Sequence, residues 1–499
     1  MKIGMLTERM LLGFGVDLVV HEQARRLGGL GHDVSVFVMR ADPSAKGDHY
    51  GLHVLSDAAP DVSDYSSPSG ARKLLQSIRA EDFDVWILHT PPFYGWIRFL
   101  ERPVVLVEYG SPPSHFFNVD VAYGLWKMVS EHFRNNFSFL RSSDAIVSIS
   151  HDIHSWLPES VQRYSKVALL GADHYESVDR QSALAFRRSI GVDEGECLIL
   201  WVGRMQFAAD EQPYKGFLEL REVLPDIKTI APHVKVALLG KVHEKERQHL
   251  DALGVIALPN HPASEMGVAY AAADVLLNLS KWEGFNLALV EAQYQGTPVV
   301  AYDVGPHSEI TCQGVTAILI KSADEIVPAL TCLVEDVKLR QDMSEKCRNF
   351  VQGLTWDRNV AQINLVLQNC CDLYNTAPPA LRAGDLIVPP ASPPRPIERL
   401  TLDRILSLNG CEFVAACYHT LLLRHPDPGG ELHFLGRLQS GARKIRILFE
   451  IAQSEEGQRC NSAPRRLRFY IRFGRIGWFL APHAEVFRRG LRAVVIRGE

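Results

Sequence analysis

The stretch Trp282-Glu283-Gly284-Phe285-Asn286-Leu287-Ala288-Leu289-Val290-Glu291 leads into Gly296-Thr297-Pro298-Val299-Val300-Ala301. Upstream lies an apolar run, Asp274-Val275-Leu276-Leu277-Asn278-Leu279-Ser280, which reads as a buried strand. The two glutamates bracket an amphipathic segment, and Val299 onward reads as the next strand. Such a strand–loop–helix–strand unit puts Glu283 in the loop at the strand's carboxyl end and Glu291 near the helix's second turn. Both can then face one crevice. The unpaired N–H groups at the helix start favour a phosphate there. Taken alone, two such acids more often mark a solvated helix cap.

Moving toward the N-terminus, Cys197-Leu198-Ile199-Leu200-Trp201-Val202-Gly203-Arg204 is an apolar strand ending on a cation, and Lys215-Gly216-Phe217 opens a helix. Arg204 offers a planar fork of donors and Lys215 a compact charge, a pair suited to a diphosphate. Surface cations are the bland alternative; Arg204 stands out because it ends a fully apolar strand. Further strands are predicted at Val234–Gly240 and Val255–Leu258, with a helix carrying Met266, Ala269, Tyr270 and Ala273.

The chain begins with a β–α–β pattern: a strand through Leu6, a loop Gly13-Phe14-Gly15, a helix from about Val16 to Leu30, and a strand Val34–Val38. It lacks G-x-G-x-x-G, so a nicotinamide cofactor is not indicated. Strands are also predicted at Asp84–His89, Pro103–Gly110, Ser143–Ser150 and Lys166–Asp173. His89 and the Glu108-Tyr109-Gly110 corner fall past strand ends, where parallel sheets gather function. A lone His89 there is as readily structural as acceptor-binding. Asp82-Phe83-Asp84 mimics a metal-binding D-x-D but precedes a strand, so it reads as a solvated turn.

These motifs together resemble the retaining GT-B glycosyltransferases of family 4 type (glycosyl transferases group 1), over roughly the first 370 positions. The Glu283-to-Glu291 stretch is similar to their E-x7-E motif, and Arg204 with Lys215-Gly216 to their G-R…K-G motif, here with a longer intervening loop. Asp303-Val304-Gly305-Pro306-His307-Ser308-Glu309 resembles their G-G-x-x-E loop with a proline in place of the second glycine. Gly171-Ala172-Asp173 resembles their N-G-x-D strand end, with Leu170 where asparagine is usual. Tyr109 stands where many relatives carry a histidine.

The resemblance implies an α/β GT-B fold: two Rossmann-like β/α/β domains facing a cleft, plus a small helical C-terminal domain. Expected boundaries are 1–178 for the acceptor domain, 179–355 for the donor domain and 356–375 for a crossover helix. A Pro-rich linker over 376–398, a helical module over 399–460 and a basic aromatic tail over 461–499 complete the chain. The donor would be a nucleotide-diphosphate sugar and the acceptor a glycan or lipid-linked molecule, in bacterial cell-surface polysaccharide synthesis. Glu283, Arg204 and Lys215 would be catalytic, and Glu291 would hold the ribose. Gly15, Gly203, Phe285, Asn286 and Leu287 would also contact the donor, and His89 and Tyr109 the acceptor or sugar. No cofactor and no catalytic metal are expected. A nucleotide-sugar 2-epimerase and a non-catalytic partner subunit share the architecture and remain alternatives.

Composition agrees with a globular protein: 499 residues, 46% hydrophobic and 22% charged, which allows two or three domains. A net charge of -5 argues against a dedicated nucleic-acid binder. The opening Met1-Lys2-Ile3-Gly4-Met5-Leu6 reads as a strand and not as a charged leader, and no apolar run is long enough to span a bilayer. Nine cysteines without a Cys-x-x-Cys pair read as reduced core thiols of a cytoplasmic protein. From Tyr418 to Gly430 the chain resembles a helical module of unknown function appended to bacterial surface-polysaccharide enzymes. The tail interleaves Arg466, Arg468, Arg472, Arg475, Arg488, Arg489 and Arg492 with aromatics. That pattern over 465–492 suits an interfacial helix on an anionic membrane surface, and equally a basic helix packed on the acidic body.

Overall fold

The computed structural model describes residues 1–377, apart from 12, 44, 57–61, 114–139, 163 and 206–212. It also describes residues 405–454, apart from 407, 409, 423–427, 440 and 441. Most of the Pro-rich stretch, most of the Arg204–Lys215 loop and the whole basic tail therefore lie outside the described residues. The chain divides into two units, Met1–Pro389 and Pro390–Glu499.

The first unit holds two parallel sheets. One runs β3-β2-β1-β4-β5-β6-β7, with β1 Lys2–Met10, β2 Asp33–Ala41, β3 Gly51–Val54, β4 Val85–Leu88, β5 Val104–Glu108, β6 Ala145–Ser148 and β7 Ser165–Val167. The other runs β10-β9-β8-β11-β12-β13, with β8 Cys197–Met205, β9 Val234–Val242, β10 Ile256–Pro259, β11 Val275–Asn278, β12 Val299–Tyr302 and β13 Ala317–Ile320. Every residue of β4, β5, β11 and β12 is buried, because helices cover both faces of a parallel sheet; this is why those strands read as unbroken apolar runs. The strand order reverses between β1 and β4 in one sheet and between β8 and β11 in the other, and the candidate residues gather at those switch points. Two Rossmann-like lobes in one unit make this an α/β GT-B fold.

Helix α1 (Gly15–Gly29) joins β1 to β2 and buries Val19, Val20, Ala24 and Leu27. Gly31, at φ +86°, supplies the left-handed turn that sends the chain into β2. Helix α2 (His151–Ser155) follows β6, and α3 (Arg180–Ser189) packs on α5 (Met266–Ala272) of the second lobe. Helix α4 is Phe217–Thr229, α6 Leu287–Gln295 and α7 His307–Ile310. Helices α8 (Ile326–Glu335) and α9 (Val337–Val351) complete the second lobe. The long α10 (Trp356–Thr376) then packs against α1, β4, β5 and β6 of the first lobe. Buried Asn359 fixes that docking: it accepts from the Gln23 amide at 3.0 Å and donates to the carbonyls of Ala168 and Leu169.

Three local expectations change. β1 continues to Met10, because β2 extends in register with it as far as Met10↔Ala41. The strand expected over 166–173 stops at Val167, because the next backbone groups turn to the α10 approach. Ala172 N–H donates to Leu354 O at 2.9 Å, and the Asp173 carboxylate accepts the Trp356 N–H at 2.7 Å. Edge strand β3 was not anticipated; it is half exposed and carries no apolar run. Asp82-Phe83-Asp84 forms the turn before β4, with Phe83 buried and Asp84 accepting the Lys2 N–H at 2.7 Å.

In the second unit, helices α11 (Gly410–Leu421), α12 (Pro428–Gln439) and α13 (Lys444–Gln453) enclose Phe413, Cys417, Leu435 and Leu448, and Arg437 pairs with Glu450. Among the described residues the cysteines are free thiols, and no helix is long and apolar enough to cross a membrane.

Candidate active site

Glu283 sits in the loop between β11 and α6 and is buried. Lys215 ends a short turn just ahead of α4, where Gly216 takes a left-handed conformation (φ +77°) tight against the Leu279 carbonyl. A side chain at Gly216 would collide with that carbonyl, so the glycine is what brings Lys215 to the loop. The Lys215 ammonium lies 2.8 and 2.9 Å from the two Glu283 carboxylate oxygens.

Asn286, at φ +78°, begins α6, and its amide reaches Asn278 Oδ1 at 3.2 Å and His307 Nε2 at 2.9 Å. A non-glycine residue held left-handed at a helix start marks a position fixed by its surroundings. His307 is anchored in turn through Nδ1 to the Tyr302 carbonyl at 2.6 Å, which leaves Nε2 to accept from Asn286. Phe285 is buried in the core, so its ring serves packing and only its backbone fits a donor-contact role. Leu287 opens α6 opposite Gly15, where an added Cβ would meet its Cδ1 at 3.6 Å. Gly203 pairs with Gly240 and lies under the Trp201 ring, so packing already requires a glycine there.

Glu291 lies one turn further into α6. Its carboxylate accepts from the Tyr270 hydroxyl at 2.6 Å, and His174 Nε2 stands 3.1 Å away. The Trp356 indole donates to the other nitrogen of that ring at 3.1 Å, so Glu291 is tied to the segment where the chain passes between lobes.

Arg204 is the penultimate residue of β8, and its guanidinium lies 4.9 Å from the Phe14 ring centroid; Arg9 covers the same ring at 4.4 Å. Phe14 belongs to the loop before α1, so its contact with Arg204 joins the lobes. Other contacts cross at the same place. The Ser150 hydroxyl donates to Gly284 O at 2.8 Å, and the Glu309 carboxylate accepts the N–H groups of His151 and Asp152 at 2.8 and 2.6 Å. On the first lobe, His89 Nδ1 and the Tyr109 hydroxyl are 2.8 Å apart. Burial pushes the His89 imidazole down to about 3, so it stays neutral, and raises the Tyr109 phenol. Asp17, on the first turn of α1, is pushed up by burial to about 6 although Arg9 and the Leu11 N–H pull it down.

The structure thus brings Glu283, Lys215, Asn286 and Leu287 to one face, Arg204, Gly203 and Gly15 to the adjoining edge, and His89 with Tyr109 to the opposite lobe. Phe14, Ser150, His174, Tyr270, His307 and Glu309 were not singled out from the sequence. His307 and Glu309 lie inside the quoted loop after Asp303, and Phe14 inside the quoted Gly13-Phe14-Gly15 loop, so those three carried a signal. Among the described residues no three His, Cys, Asp or Glu converge to suit a metal ion.

This pattern of two facing lobes with cations and a buried acid between them is that of a GT-B glycosyltransferase. Residues 183–350 match the family model described as Glycosyl transferases group 1, and residues 15–169 that described as Glycosyltransferase Family 4. The chain belongs to the family 4 type of GT-B glycosyltransferases. Residues 407–461 match a domain of unknown function, DUF4214.

A D-inositol 3-phosphate glycosyltransferase of Pseudarthrobacter chlorophenolicus is 32% identical over 186 residues, 35% of this chain and 43% of that protein. A namesake from Kribbella flavida is 29% identical over 213 residues, 40% of this chain and 48% of its own length. The chain therefore spans less than half the length of these curated relatives. In fold it is similar to sucrose-phosphate synthase of Thermosynechococcus elongatus (TM-score 0.60, 17% identity, 75% of this chain and 100% of that one). It is likewise similar to Anabaena HepE in complex with UDP and glucose (TM-score 0.59, 17% identity, 74% and 99%).

Proposed function

We propose that this protein is a retaining glycosyltransferase that moves a sugar from a nucleotide-diphosphate donor to a glycan or lipid-linked acceptor, without a metal. The observation that carries the reading is Lys215 held on buried Glu283 at the start of α6, with Arg204 at the neighbouring strand end. A diphosphate entering there meets two cations and the α6 N–H groups. The Lys215 ammonium has three donors, of which Glu283 takes two, so it can hold the carboxylate and a phosphate together.

In the transfer, the bond from the sugar's C1 to the diphosphate oxygen breaks and a bond from C1 to the acceptor oxygen forms on the same face. The acceptor's proton passes to the departing phosphate oxygen. Catalysis consists of stabilising the negative charge that grows on the leaving diphosphate, where each preorganised donor contributes about 10²–10³-fold. Glu283 orients donor-sugar hydroxyls near the electron-poor C1, and Glu291 holds the ribose. A role in cell-surface polysaccharide synthesis on the cytoplasmic side belongs to the same reading, supported by the appended helical module.

The test is a thermal-shift screen with UDP, GDP and ADP, followed by transfer from the matching nucleotide sugars. Stabilisation by one diphosphate, and transfer lost in Arg204→Ala and Glu283→Ala, are expected. An epimerised sugar formed from donor alone would instead assign the site to epimerisation.

A further inference from the structure

The aromatic residues beside Glu283 have no part in the chemistry above. Trp156 closes α2 on the first lobe and is 41% exposed. Its ring centroid lies 6.4 Å from that of Trp282 on the second lobe, at 53° between planes. Tyr214, next to Lys215, meets Trp282 edge-on at 5.6 Å. Trp282 reaches the acceptor side: a Cβ added at Gly110, left-handed at φ +80°, would come 2.4 Å from Ile153 Cδ1 and 3.0 Å from the Trp282 ring. The Trp282 indole N–H is buried with no hydrogen-bond partner among the described residues. Such a donor is costly to leave unmatched, and this one sits on the residue preceding Glu283.

We propose that Trp156 and Trp282 seat a neutral sugar ring of the acceptor, so that the acceptor is a glycan. This rests on the glycosyl-transfer reading. An exposed indole gives a flat apolar surface for the C–H face of a pyranose, while the Trp282 N–H supplies a donor to a ring hydroxyl. Local charge excludes the phosphorylated polyol of the inositol phosphate relatives. The Asp152 N–H is capped by Glu309 at 2.6 Å, so the Asp152 and Glu309 carboxyls stand at the start of the helix that Trp156 closes. Two carboxylates at this edge repel a phosphate and readily accept hydroxyl donors.

The test uses the full-length protein. Binding of UDP, GDP and ADP is first measured by thermal shift. Maltotriose, cellotriose, mannotriose and D-inositol 3-phosphate are then titrated by saturation-transfer NMR with the stabilising nucleotide present. At least one neutral trisaccharide should bind through its ring protons. Trp156→Ala should weaken it about tenfold, about the 1.4 kcal/mol that one stacked ring supplies. Trp156→Phe should keep affinity within about threefold, and nucleotide binding should be the same in both variants. Nucleotide binding with no trisaccharide signal overturns this inference alone, as does unchanged affinity in Trp156→Ala or tighter binding of the inositol phosphate. No nucleotide binding at all removes the underlying function and this inference with it.

Discussion

The Lys215 ammonium and the Glu283 carboxylate face each other at 2.8 and 2.9 Å, with the acid buried and the base part-exposed. Removing either partner strands the other. In Lys215→Ala a buried carboxylate loses its counter-charge, at a cost of about 1–3 kcal/mol, while transfer falls about 10²–10³-fold. Urea unfolding and turnover on the same preparation check both. Lys215→Arg, bulkier and differently shaped, should restore stability better than turnover.

Phe14 meets the guanidinium groups of both Arg9 and Arg204, and so holds a proposed phosphate ligand in place across the lobes. Phe14→Ala should cost about 1 kcal/mol of stability, two part-exposed cation–π contacts, and should raise the donor KM several-fold with kcat less affected. An unchanged donor KM would show that Arg204 finds its position without the ring.

Gly284 has no room for a methyl group: its Cβ would stand 2.1 Å from the Tyr109 carbonyl oxygen. Gly284→Ala must therefore push the lobes apart at the Ser150–Gly284 hydrogen bond, with each lobe's own core left intact. Transfer should drop by at least about tenfold, since small misplacements at a reacting centre cost about that much or more. Small-angle scattering should show a larger radius of gyration.

Two buried groups of the first lobe give opposite pH dependences. Asp17 titrates near 6 when folded, above its ordinary 3.8, so the folded state binds this proton more tightly. Its contribution therefore falls as pH rises from about 4 to 6. His89 titrates near 3, below its ordinary 6.5, so the unfolded state takes up the proton first. Stability is then lost as pH falls below about 6.5 toward 3. Urea midpoints at pH 4.5, 5.5 and 7 should show a steeper acid-side loss in Asp17→Asn and a shallower one in His89→Gln. The Asp17 effect is roughly 2–3 kcal/mol.

Much of the site was legible along the chain because its parts are local. The Glu283–Glu291 spacing sets a loop acid and a helix acid on one unit, and Gly216 next to Lys215 sets a helix start. Fully buried parallel strands such as β5 and β11 write their position directly as apolar runs. Half-exposed β3 writes nothing of the kind, and β7 ends early because distant Leu354 and Trp356 claim the backbone beyond it. Phe285 shows the reverse case. It lies inside a motif yet is buried in the core, a difference that spacing cannot express.

Sequence alone thus determined two α/β lobes, their order, and which acids and cations stand at strand ends, since hydrophobic periodicity and turn residues act over a few positions. Only the tertiary structure decided who meets whom. Phe14 with Arg204, Ser150 with Gly284, Glu309 with α2 and His174 with Glu291 join residues more than a hundred positions apart. Such pairings arise from how the loops and helix ends of two separate sheets meet, and no local pattern in the chain encodes that distance or angle.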